Sequence, residues 1–120
     1  MNVVICDAIR ARRLLRFVYE GYERIVEPHL YGVNSAGNEA IRAYLVRGWS
    51  ASDTSPGWRT FLLDRMESVA ALTESFPEPR PEYNPDDSQM VRVYCKLEGA
   101  QRSAAVERAR GEAGEEARGA

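Results

Sequence analysis

Arg42 and Tyr44 stand two positions apart in Ile41-Arg42-Ala43-Tyr44-Leu45. An arginine beside an aromatic ring can read a nucleotide, because the ring stacks on a base while the guanidinium fork pairs with phosphate oxygens. Period two over this stretch sends Arg42 and Tyr44 to one face of a strand and Ile41, Ala43 and Leu45 to the other. Arg24, Arg59 and Arg65 fall on the flanking strands or at their ends. Each could instead pair with a surface acid such as Glu23, Glu27, Asp64 or Glu67. His29 is the sole histidine, able to contact a phosphate or to sense pH, or else to sit partly buried as a structural group. It has no nucleophile at a recognisable spacing and no companion ligand, so no catalytic residue, metal site or cofactor is expected. Trp49 and Trp58 bracket a Gly/Ser-rich loop, as packing anchors or as stacking platforms. Asn84-Pro85-Asp86-Asp87 lacks the ligand spacing of a calcium loop and reads as a turn or helix cap.

These side chains need a sheet to position them. Asp7 can cap a short helix over about residues 8–13. Residues 15–19 then read as a strand, Glu20-Gly21 as a tight turn, and residues 24–33 as a second strand in which Pro28 marks an edge or a bulge. The turn 34–38 leads to a third strand at 39–47. A loop over 48–57, a fourth strand at 59–63, a bend at Asp64-Arg65 and a fifth strand at 68–73 follow. Short hairpin-connected strands of this kind predict a mainly β domain, a small curled sheet or barrel of the SH3 or Sm type. Pro77, Pro79, Pro81 and Pro85 make 77–85 an extended connector across the surface. Arg80, within it, is expected to lie away from the Arg42 and Tyr44 face. Residues 90–97 fit both a strand and a helix by periodicity, with the strand preferred.

Composition bounds the rest. The chain has 120 residues, with 16 basic and 18 acidic side chains and a net charge of −2. That excludes a uniformly basic nucleic-acid coat and confines any polyanion surface to a patch. Nine arginines against seven acids lie in the first 65 residues, and three basic residues against six acids in 66–97. Residues 98–120 carry no aromatic residue and one large aliphatic, Val106. They are expected to form a solvated tail, disordered or partly helical, beyond a folded unit of 1–97. No apolar run reaches membrane-spanning length and the start has no signal-like pattern, so a cytoplasmic location without membrane contact is expected. Cys6 and Cys95, far apart and without a CxxC, read as two reduced and mostly buried thiols.

In order along the chain, Ala8-Ile9, Phe17-Val18-Tyr19, Arg24-Ile25-Val26-Glu27-Pro28-His29, Ala43-Tyr44-Leu45 and Arg59-Thr60-Phe61-Leu62-Leu63-Asp64-Arg65-Met66 resemble the WYL domain family. Ala43 stands where that family's naming triplet has Trp. The resemblance covers about residues 8–75. It implies an SH3-like or Sm-like β-barrel used by bacterial transcriptional regulators and defence proteins as a ligand-sensing module, with nucleotides or nucleic acids as ligands. It also brings Arg59 and Arg65 to the ligand pocket and His29 close to it. Several arginines on one concavity would be costly without an anion between them. The expected function is therefore a regulatory module that binds a nucleotide or short single-stranded nucleic acid through Tyr44, Arg42, Arg59, Arg65, Arg24 and His29. The alternative is an interaction module that pairs with a partner protein or with itself as a homodimer. Neither is an enzyme.

Overall fold

The computed structural model describes residues 1–48 and 55–98. The expectations placed on Trp49 and on the tail from 99 onward lie outside the described residues.

The chain opens with helix α1 (Val3–Ala11), five residues earlier than Asp7 would have placed it. Asn2 is the cap: its side-chain oxygen accepts the N–H of Val4 at 2.9 Å and of Ile5 at 3.3 Å. Asp7 lies inside the helix, beside Arg10 one turn on. The reason for the earlier start is the apolar stripe Ile5, Ala8, Ile9 with Cys6, all buried, which recurs at helical spacing and seats the helix on the sheet. Arg12, with φ of 56°, ends it in the left-handed conformation.

Six strands follow, β1 (Arg13–Tyr19), β2 (Tyr22–Asn34), β3 (Glu39–Arg47), β4 (Gly57–Leu62), β5 (Met66–Ser75) and β6 (Met90–Lys96). Glu20 and Gly21 both take positive φ, as a two-residue hairpin between twisted strands requires. All pairings are antiparallel, in the order β4-β3-β2-β1-β5, with β6 added to the far half of β2. The sheet is open: β4, β5 and β6 each have one strand partner in this ladder. The register of β2 against β3 slips between Pro28 and Leu30, so the proline sits at a bulge, where its missing N–H does not interrupt the ladder. That bulge bends β2 and lets its second half take β6. Backbone of β6 then passes so close to Gly32 that a Cβ there would lie 2.0 Å from the Arg92 carbonyl oxygen. Only glycine fits this crossing.

The bend at 64–65 is a short 3-10 turn, Leu63–Arg65. The strand reading of 90–97 holds. The core lies on the inner face of the sheet, where Phe17, Tyr19 and Phe61 meet edge-to-face at centroid distances of 4.9–6.2 Å, with Val26, Ile41, Ala43 and Leu45 around them.

The cysteines depart from expectation. Cys6 on α1 and Cys95 on β6 form a disulfide, with Cα atoms 5.7 Å apart. Their separation along the chain conceals that α1 packs against β6. Both are buried, as expected, but they are bonded rather than free. No helix among the described residues is long and apolar enough to cross a membrane.

Candidate functional site

Register builds the site. Glu27 on β2 lies opposite Tyr44 on β3, and Tyr44 opposite Trp58 on β4, so one row of three side chains crosses the outer face. The neighbouring row places Arg42 opposite Thr60. Arg42 and Tyr44 share this outer face while Ile41, Ala43 and Leu45 are buried, as the alternation predicts. The Arg42 guanidinium lies over the Trp58 ring, 5.4 Å from its centroid, and donates to Thr60 Oγ1 at 3.2 Å.

The proline-rich connector crosses this same face as a strap. Phe76 and Tyr83 are buried at its two ends. Between them Arg80 donates from Nε and one terminal nitrogen to the two carboxylate oxygens of Glu27, at 2.7 and 3.0 Å. Its guanidinium lies 4.3 Å from the Tyr44 ring centroid. Arg80 is thus the partner of Tyr44, not a bystander. Sequence periodicity could not reveal this, because a proline-rich segment has no face pattern to read. The one available signal was a lone cation amid acids and prolines. The Glu27 hydrogen bonds, more than offsetting desolvation, raise the guanidinium's pKa further. Trp58 Nε1 donates to the Pro81 carbonyl at 3.0 Å, and Tyr83 stacks on Trp58 at an interplanar angle of 18°.

His29 is fully buried beneath the strap, against Trp58, Phe76 and Tyr83. Its Nδ1 donates to the Glu27 carbonyl at 2.8 Å, and its Nε2 accepts the Arg80 backbone N–H at 3.1 Å. Both nitrogens are committed in the neutral ring, so a proton on Nε2 would break the second bond. Burial lowers its pKa to about 4, against the opposing pull of the Glu27 backbone bond and carboxylate and aided by Arg80. Burial likewise pushes Tyr83 up to about 12.

The remaining arginines are dispersed. Arg24 is buried on the inner face, over the Tyr19 and Phe61 rings, and donates to the Tyr19 carbonyl at 3.3 Å. Among the described residues its Nε has no hydrogen-bond partner. Arg59 turns to the carbonyls of Trp58 and Ser55 at 2.9 and 2.8 Å. Arg65 reaches across to Glu20 at 3.3 Å in an exposed ion pair. The structure therefore brings together Arg42 and Tyr44 with Trp58 and Arg80, seals His29 below them, and leaves Arg24, Arg59 and Arg65 in other surroundings. Asn84 to Asp87 form consecutive turns held by Asn84 and Asp87 side chains.

Chemically the outer face sets two adjoining rings, Tyr44 and Trp58, between two cations, Arg80 and Arg42, with the Glu27 carboxylate at the Arg80 end. Rings and guanidinium groups so placed can stack on a planar group and pair with an anion. Comparison with family models, curated proteins and solved structures finds no match to this chain, so the reading of its function rests on the geometry above and on the motifs of the sequence.

Proposed function

We propose that this chain is a non-enzymatic regulatory module, an SH3- or Sm-like β unit of the WYL type, that binds a phosphate-bearing ligand at Arg42, Trp58 and Tyr44. One observation carries the reading. Arg42 lies over Trp58 and, among the described residues, has no carboxylate within salt-bridge distance. An uncompensated guanidinium beside two rings favours an anion with a planar group attached. Arg42 swings from the indole onto the phosphate, and the base takes the ring face it leaves. Nucleotides and short single strands have this chemistry.

Fluorescence anisotropy with labelled oligonucleotides and a nucleotide panel tests the proposal. Arg42→Ala is expected to weaken binding by about tenfold or more and to flatten its salt dependence. Arg92→Ala, on β6, serves as the reference because it carries the same charge outside the face. Absence of saturable binding at about 50 mM salt, or an equal loss in Arg92→Ala, removes the phosphate reading.

A second reading is supported by the outer edge of β6, where Val91 and Val93 are 68% and 41% exposed. An apolar strand edge of this kind invites strand addition by a partner protein or a second copy.

A further inference from the structure

We infer that the half of the outer face centred on Glu27, Tyr44 and Trp58 is a recognition groove for an extended proline- and arginine-containing segment, and that the strap occupies it as an internal ligand. The occupant in trans is a segment of a partner chain carrying the Pro-Arg-Pro chemistry that residues 79–81 display.

The contacts are those by which aromatic grooves hold proline-rich chains. Proline presets φ and has no N–H, so the bound chain loses little entropy and presents carbonyls as its hydrogen-bonding groups. The groove supplies a matching donor, the Trp58 indole N–H, aimed at the Pro81 carbonyl. It supplies one carboxylate, Glu27, only 6% exposed, which takes the arginine in a two-pronged bond. Tyr44 forms the floor under the guanidinium. His29 Nε2 accepts the N–H of the arginine itself. Four recognition elements thus converge on two consecutive residues, Arg80 and Pro81.

The strap is also built to leave. Its buried anchors, Phe76 and Tyr83, lie outside the Pro-Arg-Pro core, and the Phe76 N–H is tied to the Arg12 carbonyl at 2.9 Å. Between the anchors the chain arches over a cavity of about 280 Å³ lined by Glu27, Phe76, Pro77, Pro79 and Arg80. Arg80 therefore acts as a latch on an arch that is fixed at both feet. A partner segment with the same chemistry displaces the latch while the anchors, and the fold, remain.

The probe is a fluorescent peptide of residues 76–85, titrated into the full chain and followed by anisotropy, with thermal melts confirming that each variant is folded. The wild type binds it weakly, because the strap competes at the high effective concentration of a tethered ligand. Arg80→Ala is expected to bind at least about tenfold more tightly than wild type. Arg80→Lys, which retains a charge for Glu27 but loses the fork, gives an intermediate affinity and covers the case in which Arg80→Ala unfolds. Adding Glu27→Gln to either latch variant, or replacing the peptide's own arginine by alanine, reverses the gain. The inference is overturned if neither latch variant binds the peptide saturably. It also fails if Glu27→Gln leaves the affinity unchanged, or if light scattering shows that the anisotropy rise comes from self-association.

Discussion

The molecule carries two clusters in which arginine lies on aromatic rings, and they differ in how the charge is met. On the inner face Arg24 sits over Tyr19 and Phe61, 5% exposed, and among the described residues has one hydrogen bond, to a backbone carbonyl, and no partner for its Nε. On the outer side Arg80 sits over Tyr44 with both oxygens of Glu27 on its fork. The inner rings pack on one another and on the core, so the arginine there is a guest of the hydrophobic interior. The outer rings are organised around the charge. A buried cation without a carboxylate costs stability, whereas one with a forked partner gives a specific and exchangeable contact. The inner rings therefore hold the fold by packing on one another, at a cost from Arg24, whereas the outer pair is a partly exposed contact that other groups of the same chemistry could exchange with.

The largest expected effect breaks this contrast directly. Phe61→Ala removes a ring shared by the inner trio and is expected to cost about 3–5 kcal/mol in denaturant unfolding. Trp58→Ala, on the half-buried outer side, should cost less than half of that. Equal losses would mean that the outer cluster is core as well.

Next is the pH dependence of the outer side. Burial lowers the folded-state pKa of His29 to about 4, against an ordinary value of 6.5, so the folded state resists protonation. The unfolded chain binds the proton first as pH falls. The contribution is present in full above about pH 6.5 and is lost between there and about pH 4, with a total near 3 kcal/mol. Urea unfolding at pH 7 and pH 4.5 should show this loss in wild type, and His29→Gln should lack that part of it. An identical pH dependence in both would remove His29 from the account.

The smallest effect has the opposite sign. Arg24→Met keeps the length and ring contacts of the side chain and removes the uncompensated charge. A gain of about 1 kcal/mol is expected. If Arg24→Met destabilises by a similar amount, the inner arginine is a stabilising contact and the two clusters are alike.

Some of this was legible in the sequence. Alternation in β3 placed Arg42 and Tyr44 on one face and Ala43 inside, because β3 pairs with β4 without a register shift over Ala40–Leu45 and so keeps its period of two. Glu20-Gly21 marked the first hairpin, and Pro28 marked the bulge from which β2 bends. The helix start was missed because Asn2 and the stripe beginning at Ile5 lie where a chain end is usually taken for a frayed lead-in. Arg80 was placed away from the site because long-range packing of a proline-rich segment leaves no local periodicity. The buried His29 could not be told from a ligand contact, since its environment is made by Phe76 and Tyr83, far along the chain. The disulfide was hidden for the same reason: it depends on α1 crossing β6.

That disulfide has a topological consequence. Cys6 and Cys95 lie 89 positions apart, so all of β1 to β5 and the whole strap belong to one covalent ring. The strap is an arc of that ring and not a free arm. Release of Arg80 would leave it tethered at both feet, and β6 cannot be handed to a second molecule unless a sulfur–sulfur bond is broken first. A protease that cuts the strap opens the ring without dividing the molecule, and the cut chain stays a single covalent species until a reductant breaks the disulfide.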